Sequence, residues 1–323
     1  MTTRAMDPDP ALMFSRGRSD TLRFATMTVT TPPVHQSGQI ERSETLPPDP
    51  ALYFAIQNPA LLDGDQGFLR AFKAEIRSRP ADQRGVMVFI HGFNTTLTDA
   101  VLGIAQFVED TGFTGVPVLF SWASGGRVQV YVYDINSVLA ARDDLLHGAV
   151  LVSKSGATSV DLVAHSMGNL LAVEAMRQAK LEGTFTKLGK RHNVILASPD
   201  IDVDLFRRQL SVFSPDERRF YVFISRGDTA LRASRFIGGG VPRVGAGDVK
   251  ALTELGVTEI DLSEISPSGS SHSKFARSPE IVQLIGTRLS IDGPLQDSAQ
   301  TPGLLRSILE LPITVAQGLA AGQ

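Results

Sequence analysis

The chain of 323 residues has no cysteine at all. That absence excludes disulfides, thiolate metal sites, a cysteine nucleophile and a lipid-bearing cysteine. An excess of one charge is missing too. Thirty-one basic and 34 acidic side chains leave a formal net charge of −3, which gives no electrostatic case for nucleic acid or an anionic membrane. Arg4, Asp7 and Asp9 open the chain without an apolar run, so no signal peptide is visible and a cytoplasmic location is the default expectation. The most apolar stretch, Leu304 to Ala320, is broken by Arg306, Glu310 and Pro312 and is not a membrane span. There is no internal repeat and no His/Asp/Glu spacing that demands a metal. Gly238-Gly239-Gly240 and Gly245 are followed by no Lys-Ser or Lys-Thr pair, so they read as a flexible loop rather than a phosphate cradle. Neither a metal, a cofactor nor a nucleic-acid partner is expected.

What is present is ordinary in amount: 42% hydrophobic and 20% charged residues, enough for a proper core. Residues 1–50 are rich in Pro, Asp, Ser and Thr, with one strand-like alternation at Leu22–Thr30, and residues 1–66 read as an extension packing on or covering the core. A core domain is expected over 67–292. The tail 293–323 carries Leu304, Ile308, Leu311 and Val315 on one side of a possible helix.

Within the core the pattern alternates. Residues 67–78 read as a helix, Val86–Ile90 as a strand, Thr96–Val108 as a helix and Val116–Trp122 as a strand. Val138, Ala141, Leu145 and Ala149 mark one helix before the strand Val160–Ala164. Leu171, Ala172, Ala175, Met176 and Ala179 form the buried face of the next helix. Strands at Asn193–Ala197 and Phe220–Ser225 flank a short helix near Asp202–Leu210. A helix at Lys250–Leu255, a strand at Val257–Leu262 and a helix at Pro279–Leu289 close the series. Continuous apolar strands alternating with helices imply an α/β fold with a mostly parallel, doubly wound sheet, whose site lies beyond the carboxyl ends of the strands.

Ala164-His165-Ser166-Met167-Gly168 stands where strand turns into helix. A serine at such a turn points its hydroxyl out of the fold, beside the N–H groups of a helix N-terminus. It needs a base, and the base needs an orienting acid. Of six histidines, His35 lies in the Pro-rich N-terminal segment, His147 sits mid-helix and His192 precedes a strand. The His165 side chain should point away from the serine hydroxyl, and at His91 the backbone should matter more than the ring. His272, after the last strand, is the base expected. For the acid, Asp228 and Asp200 both follow strands; the order Ser166, Asp228, His272 favours Asp228. Asp202 and Asp204 read as helix-capping carboxylates, and Asp228 also stands where it would cap Thr229–Ser234. The oxyanion donors expected are the N–H groups of Met167 and of Phe93 in His91-Gly92-Phe93-Asn94, with Thr96 as the cap of the following helix. Trp122, Tyr131 and Tyr133 are candidates for lining a substrate pocket. The connection from Asp200 to the next helix is too short for a large inserted cap domain, which favours short-to-medium acyl groups.

These blocks, with Phe120-Ser121-Trp122-Ala123-Ser124, Ala197-Ser198-Pro199-Asp200-Ile201-Asp202 and Ser225-Arg226-Gly227-Asp228-Thr229-Ala230-Leu231, resemble a bacterial α/β-hydrolase family. It is catalogued as domain of unknown function nine hundred, in the esterase/lipase superfamily, and the resemblance runs from about Gly85 to Leu289. It implies Ser166 as nucleophile, Asp228 as acid and His272 as base, though the substrates of its members are mostly unassigned; from the serine chemistry, the partner expected is a small-molecule ester substrate. Ala123 departs from the proline common there. The relatives are often exported. The same triad would serve a thioesterase or an amidase, and a non-catalytic binding protein on the same scaffold is the reading from another class.

Overall fold

The N-terminal sixty residues build more sheet than their composition indicates. In the computed structural model, which describes residues 1–187, 193–247, 252, 255–265 and 271–290, strands β1 (Thr2–Met6), β2 (Phe14–Thr30) and β3 (Ala55–Leu62) form an antiparallel sheet in that order. Two features hide these strands from pattern reading. Much of β2 alternates exposed with half-buried side chains, so the apolar signal is weak. In β3, Asn58 and Pro59 interrupt the run, and they fall at a register shift in the pairing with β2. A bulge tolerates both the missing N–H of proline and the left-handed Asn58, at φ 49°. The sheet is pinned inward by Phe24, which stacks at 4.8 Å on Phe68 of α1 (Gly64–Ser78).

The loop between β2 and β3 is tied to the core through His35. Its Nδ1 lies 2.8 Å from Glu41, and its Nε2 lies 3.0 Å from Asp110. Burial alone lowers an imidazole, but the two carboxylates outweigh it and hold His35 above its ordinary value; Glu41 is held below its own, burial notwithstanding, chiefly by His35. A raised histidine stabilises fully below its unfolded value and loses that contribution as pH rises through the folded one. Thermal unfolding is therefore expected to show His35→Gln costing Tm at about pH 6 and little at about pH 9. An equal loss at both values would mean that charge plays no part.

The main sheet is parallel throughout, ordered β5-β4-β6-β7-β8-β9. Its strands are β4 (Val86–Ile90), β5 (Val116–Phe120), β6 (Val160–His165), β7 (Val194–Ala197), β8 (Phe220–Ile224) and β9 (Thr258–Asp261). All five residues of β4 and of β8 are buried, as strands covered on both faces require. Crossovers are supplied by α2 (Leu97–Thr111), α3 (Tyr131–Ala140), α4 (Arg142–Ser153), α5 (Gly168–Leu181), α6 (Val203–Leu210) and α7 (Thr229–Ile237); α8 (Lys274–Arg277) and α9 (Pro279–Ser290) close the described chain. This is the doubly wound parallel sheet that the strand and helix pattern indicates, in the α/β-hydrolase arrangement that the resemblance implies. Thr96 caps α2 in a reciprocal box with Asp99, and Asp202 caps α6. The expected single helix through Val138 and Ala149 is two, α3 and α4, parting at Ala141. β5 stops at Phe120, short of Trp122, whose neighbour Ser121 instead bridges to Thr2.

Contacts divide the chain at Ser290, and the second unit, Ile291–Gln323, lies outside the described residues together with the amphipathic tail expected there. His192, most of Lys250–Leu255 and Ser266–Ser270 also lie outside them. Among the described residues no helix is long and apolar enough to cross a membrane.

Candidate active site

Ser166 follows β6 directly and takes φ 53°, a left-handed conformation that costs a side-chain-bearing residue on the order of 1–3 kcal/mol. Its surroundings hold it there. The Ser166 N–H donates to Ala197 O at 2.9 Å, and its carbonyl accepts from Asn169 Nδ2 at 2.8 Å and from the Asp200 N–H at 3.2 Å. The same Asn169 amide reaches Ala197 O at 2.9 Å, so one buried side chain ties the turn to β7. Small residues are required around this turn. A Cβ on Gly168 would stand 2.4 Å from His91 O, and one on Gly92 would stand 2.9 Å from the Ser166 Cβ.

His272 sits on a single 3-10 turn, Ser271–Ser273, reached after β9. Its Nε2 lies 2.8 Å from Ser166 Oγ and its Nδ1 lies 2.7 Å from Asp228 Oδ2. Asp228 is fully buried and serves twice, since its Oδ1 accepts the Leu231 N–H at 3.0 Å and caps α7. Burial on its own would raise this carboxyl; the His272 hydrogen bond and charge, with the Leu231 and Ala230 N–H groups, bring it below the ordinary range. It is therefore an anion facing the imidazole. Asp200, the other acid weighed from sequence, does not meet His272. It accepts from Tyr131 Oη at 2.9 Å, pairs with Arg243 Nε at 3.4 Å and takes the Ser234 hydroxyl.

His165, among the described residues, makes no hydrogen bond to Ser166 Oγ, and it is not idle. Its Nε2 lies 3.2 Å from the His272 carbonyl oxygen and its ring packs between His272 and Phe275, 4.8 Å from each. Burial first, then the neighbouring His272, lower it to about 3. It stays neutral, so its N–H donates and adds no charge beside the base. No periodicity signal marks this role.

The loop after β4 lies against Ser166 and carries Phe93. Among the described residues none accepts a hydrogen bond from the N–H of Phe93 or of Met167. Those two N–H groups are the oxyanion donors expected from the sequence. The three aromatic candidates fall in different places. Trp122 is fully buried: its indole stacks on His91 at 5.0 Å and donates to His91 O at 2.8 Å, so it buttresses the loop from inside and lines no open surface. Tyr131 and Tyr133 stand on α3 and not in a loop. Tyr131 meets Phe93 edge-on at 5.2 Å, beside the loop, with its hydroxyl tied to Asp200 and Ser234. Tyr133 lies under the Arg18 guanidinium, 4.2 Å from the ring centre, facing the N-terminal sheet.

No curated protein is significantly similar to the chain. Among solved structures, Aspergillus fumigatus lipase B is 14% identical with a TM-score of 0.42, over 65% of this chain and 53% of the lipase, so that this chain spans about half the lipase's length. An esterase from the archaeon Pyrobaculum calidifontis is 13% identical with a TM-score of 0.39, over 66% of this chain and 79% of the esterase. Esterase B from Lactobacillus rhamnosis, solved with a tributyrin phosphonate, is 14% identical with a TM-score of 0.40, over 66% and 77%. The profile of a family described as alpha/beta hydrolase of unknown function (DUF900) matches residues 69–288, which take in Ser166, Asp228 and His272. By that match over more than half its length, the chain belongs to this family of alpha/beta hydrolases.

Proposed function

We propose that this protein is a serine hydrolase that cleaves carboxylic esters of short-to-medium acyl chain by two-step acyl transfer. The observation that carries this reading is the unbroken hydrogen-bonded line from Ser166 Oγ through His272 to Asp228, at 2.8 and 2.7 Å, from the ends of three strands of one sheet. Ser166 Oγ attacks the ester carbonyl as its proton passes to His272 Nε2. The carbonyl oxygen, now anionic, is held by the N–H groups of Phe93 and Met167. His272 returns the proton to the leaving alkoxide, which departs as the alcohol and leaves an acyl-serine. Water, deprotonated by His272, then releases the carboxylic acid and regenerates Ser166. Asp228 remains an anion throughout, fixes the imidazole tautomer and stabilises the imidazolium. The acyl preference is supported by the short link from β7 to α6, Ser198 to Asp202, which leaves no room for an inserted cap there.

Hydrolysis of p-nitrophenyl butyrate by the wild type and by Ser166→Ala tests the reading. The variant is expected to lose kcat by roughly 10⁴-fold or more, and a fluorophosphonate probe is expected to label the wild type alone. Equal turnover by both proteins would refute it.

A further inference from the structure

Among the described residues Arg4 is the largest charged side chain with no solvent exposure, and it belongs to the N-terminal strand β1, outside the residues matched by the family profile. Thr2 bridges in parallel to Ser121, just past the end of the edge strand β5, and delivers the guanidinium beneath the loops that follow β4 and β5. There it makes three directed bonds. Nε donates to Ser121 Oγ at 2.9 Å, Nη1 to Ser124 O at 3.1 Å and Nη2 to Thr95 O at 2.8 Å. Burial, as the largest effect, lowers this arginine to about 10, still charged at any physiological pH. Beside it the buried Asp134 accepts Ser124 Oγ at 2.6 Å and the Gly125 N–H at 2.8 Å, holding the same serine whose carbonyl Arg4 takes.

The segment these contacts hold is Phe93-Asn94-Thr95. Thr95 is gripped at both ends of its peptide links: its carbonyl by Arg4, its N–H by Ser124 Oγ at 3.2 Å. Asn94, the residue before it, takes φ 55°. A left-handed residue without glycine persists only where neighbours over-determine it. Ser121 Oγ also meets His91 Nε2 at 3.2 Å, so the arginine braces the loop at its start as well. Phe93, whose N–H stays unclaimed among the described residues, lies between those two braced ends.

We propose that Arg4 is a positioning residue for the reaction, setting the Phe93 N–H toward the oxyanion from outside the matched domain; this rests on the esterase reading above. A planar guanidinium reaches three acceptors on two loops at once, which a lysine ammonium on a flexible stem does not. A misaimed donor weakens binding of the tetrahedral species more than binding of the ester, so kcat suffers and KM does not.

The test is Arg4→Lys, with kcat and KM for p-nitrophenyl butyrate and the inhibition constant of a trifluoromethyl ketone that forms a tetrahedral adduct with serine. We expect kcat to fall about ten- to a hundredfold, KM to change by less than about threefold, and ketone binding to weaken in step with kcat. A folded Arg4→Lys with wild-type kcat, or with lowered kcat and unaltered ketone affinity, overturns the proposal while the esterase reading stands. A wild type without turnover removes both. Should Arg4→Lys not fold, Ser124→Ala frees the Thr95 N–H with Arg4 in place; weaker ketone binding is then expected, and unchanged affinity overturns the proposal.

Discussion

Asp228→Asn is expected to lower kcat on p-nitrophenyl butyrate about 10⁴-fold while leaving the fold intact. The asparagine keeps an oxygen for the Leu231 N–H, so the cap of α7 survives, a contact worth about 1 kcal/mol that alanine would forfeit. What changes is the group facing His272 Nδ1, now 2.7 Å from Asp228 Oδ2. An amide N–H there forces the imidazole proton onto Nε2, the atom that must accept from Ser166. Labelling by a fluorophosphonate should slow in parallel. Asp200→Asn is the matched control. Its side chain closes a buried group of Tyr131, Ser234 and Arg243 and does not touch His272, so it should depress Tm and leave the tautomer alone. Leaving a buried arginine without its carboxylate typically costs about 3–5 kcal/mol. Full turnover by Asp228→Asn with loss in Asp200→Asn would reverse the assignment of the acid.

Unfolding free energy is expected to fall steeply as pH drops below about 6.5, driven by His91 and His165. Burial, with Arg4 adding repulsion at His91 and His272 at His165, lowers both to about 3. Between that value and the unfolded imidazole's, the unfolded chain binds a proton at each position and the native protein does not. Stability therefore rises with pH across the window and is lost on acidification, by roughly 1.4 kcal/mol per pH unit for each histidine. At about pH 4.5 the two together come to roughly 5–6 kcal/mol, a large part of the 5–15 kcal/mol that typically separates folded from unfolded. His35 does not offset this, because its contribution is already complete below the unfolded value. Urea unfolding from about pH 7.5 to about pH 4.5 should show His165→Phe with about half the wild-type slope. Its ring still packs against Phe275, and only the titrating nitrogens are gone. A slope equal to wild type would mean that His165 is not buried neutral.

Parts of this site are legible because they are local. The Ser166 turn is marked by small residues that the crossing of strand and helix demands: a Cβ on Gly92 would stand 2.9 Å from the Ser166 Cβ, and one on Gly168 2.4 Å from His91 O. His272 emerges by elimination, because only groups after strands reach the working edge of a parallel sheet. Other parts are not local at all. Asp228 and Asp200 both follow strands and both cap or brace something; which one meets the base depends on how loops after β8 and β9 fold over each other. Trp122 looks alike from sequence whether it lines a pocket or stacks on His91. β1 and β3 were hidden because a sheet with one wet face and a bulge carries little apolar rhythm.

By itself the sequence determined the layered architecture, since continuous apolar strands alternating with amphipathic helices have few ways to bury themselves. The same reasoning puts Ser166, Asp228 and His272, the proposed nucleophile, acid and base, each just past a strand and in that order. Chain closure alone settles which carboxylate faces His272, that His165 stands neutral beside it, and that Arg4 reaches the loop of Phe93 from more than ninety positions away in sequence, at Thr95 O. Hydrogen bonds between residues so far apart leave no periodic trace, because the distance that sets their energy exists only once the chain has closed.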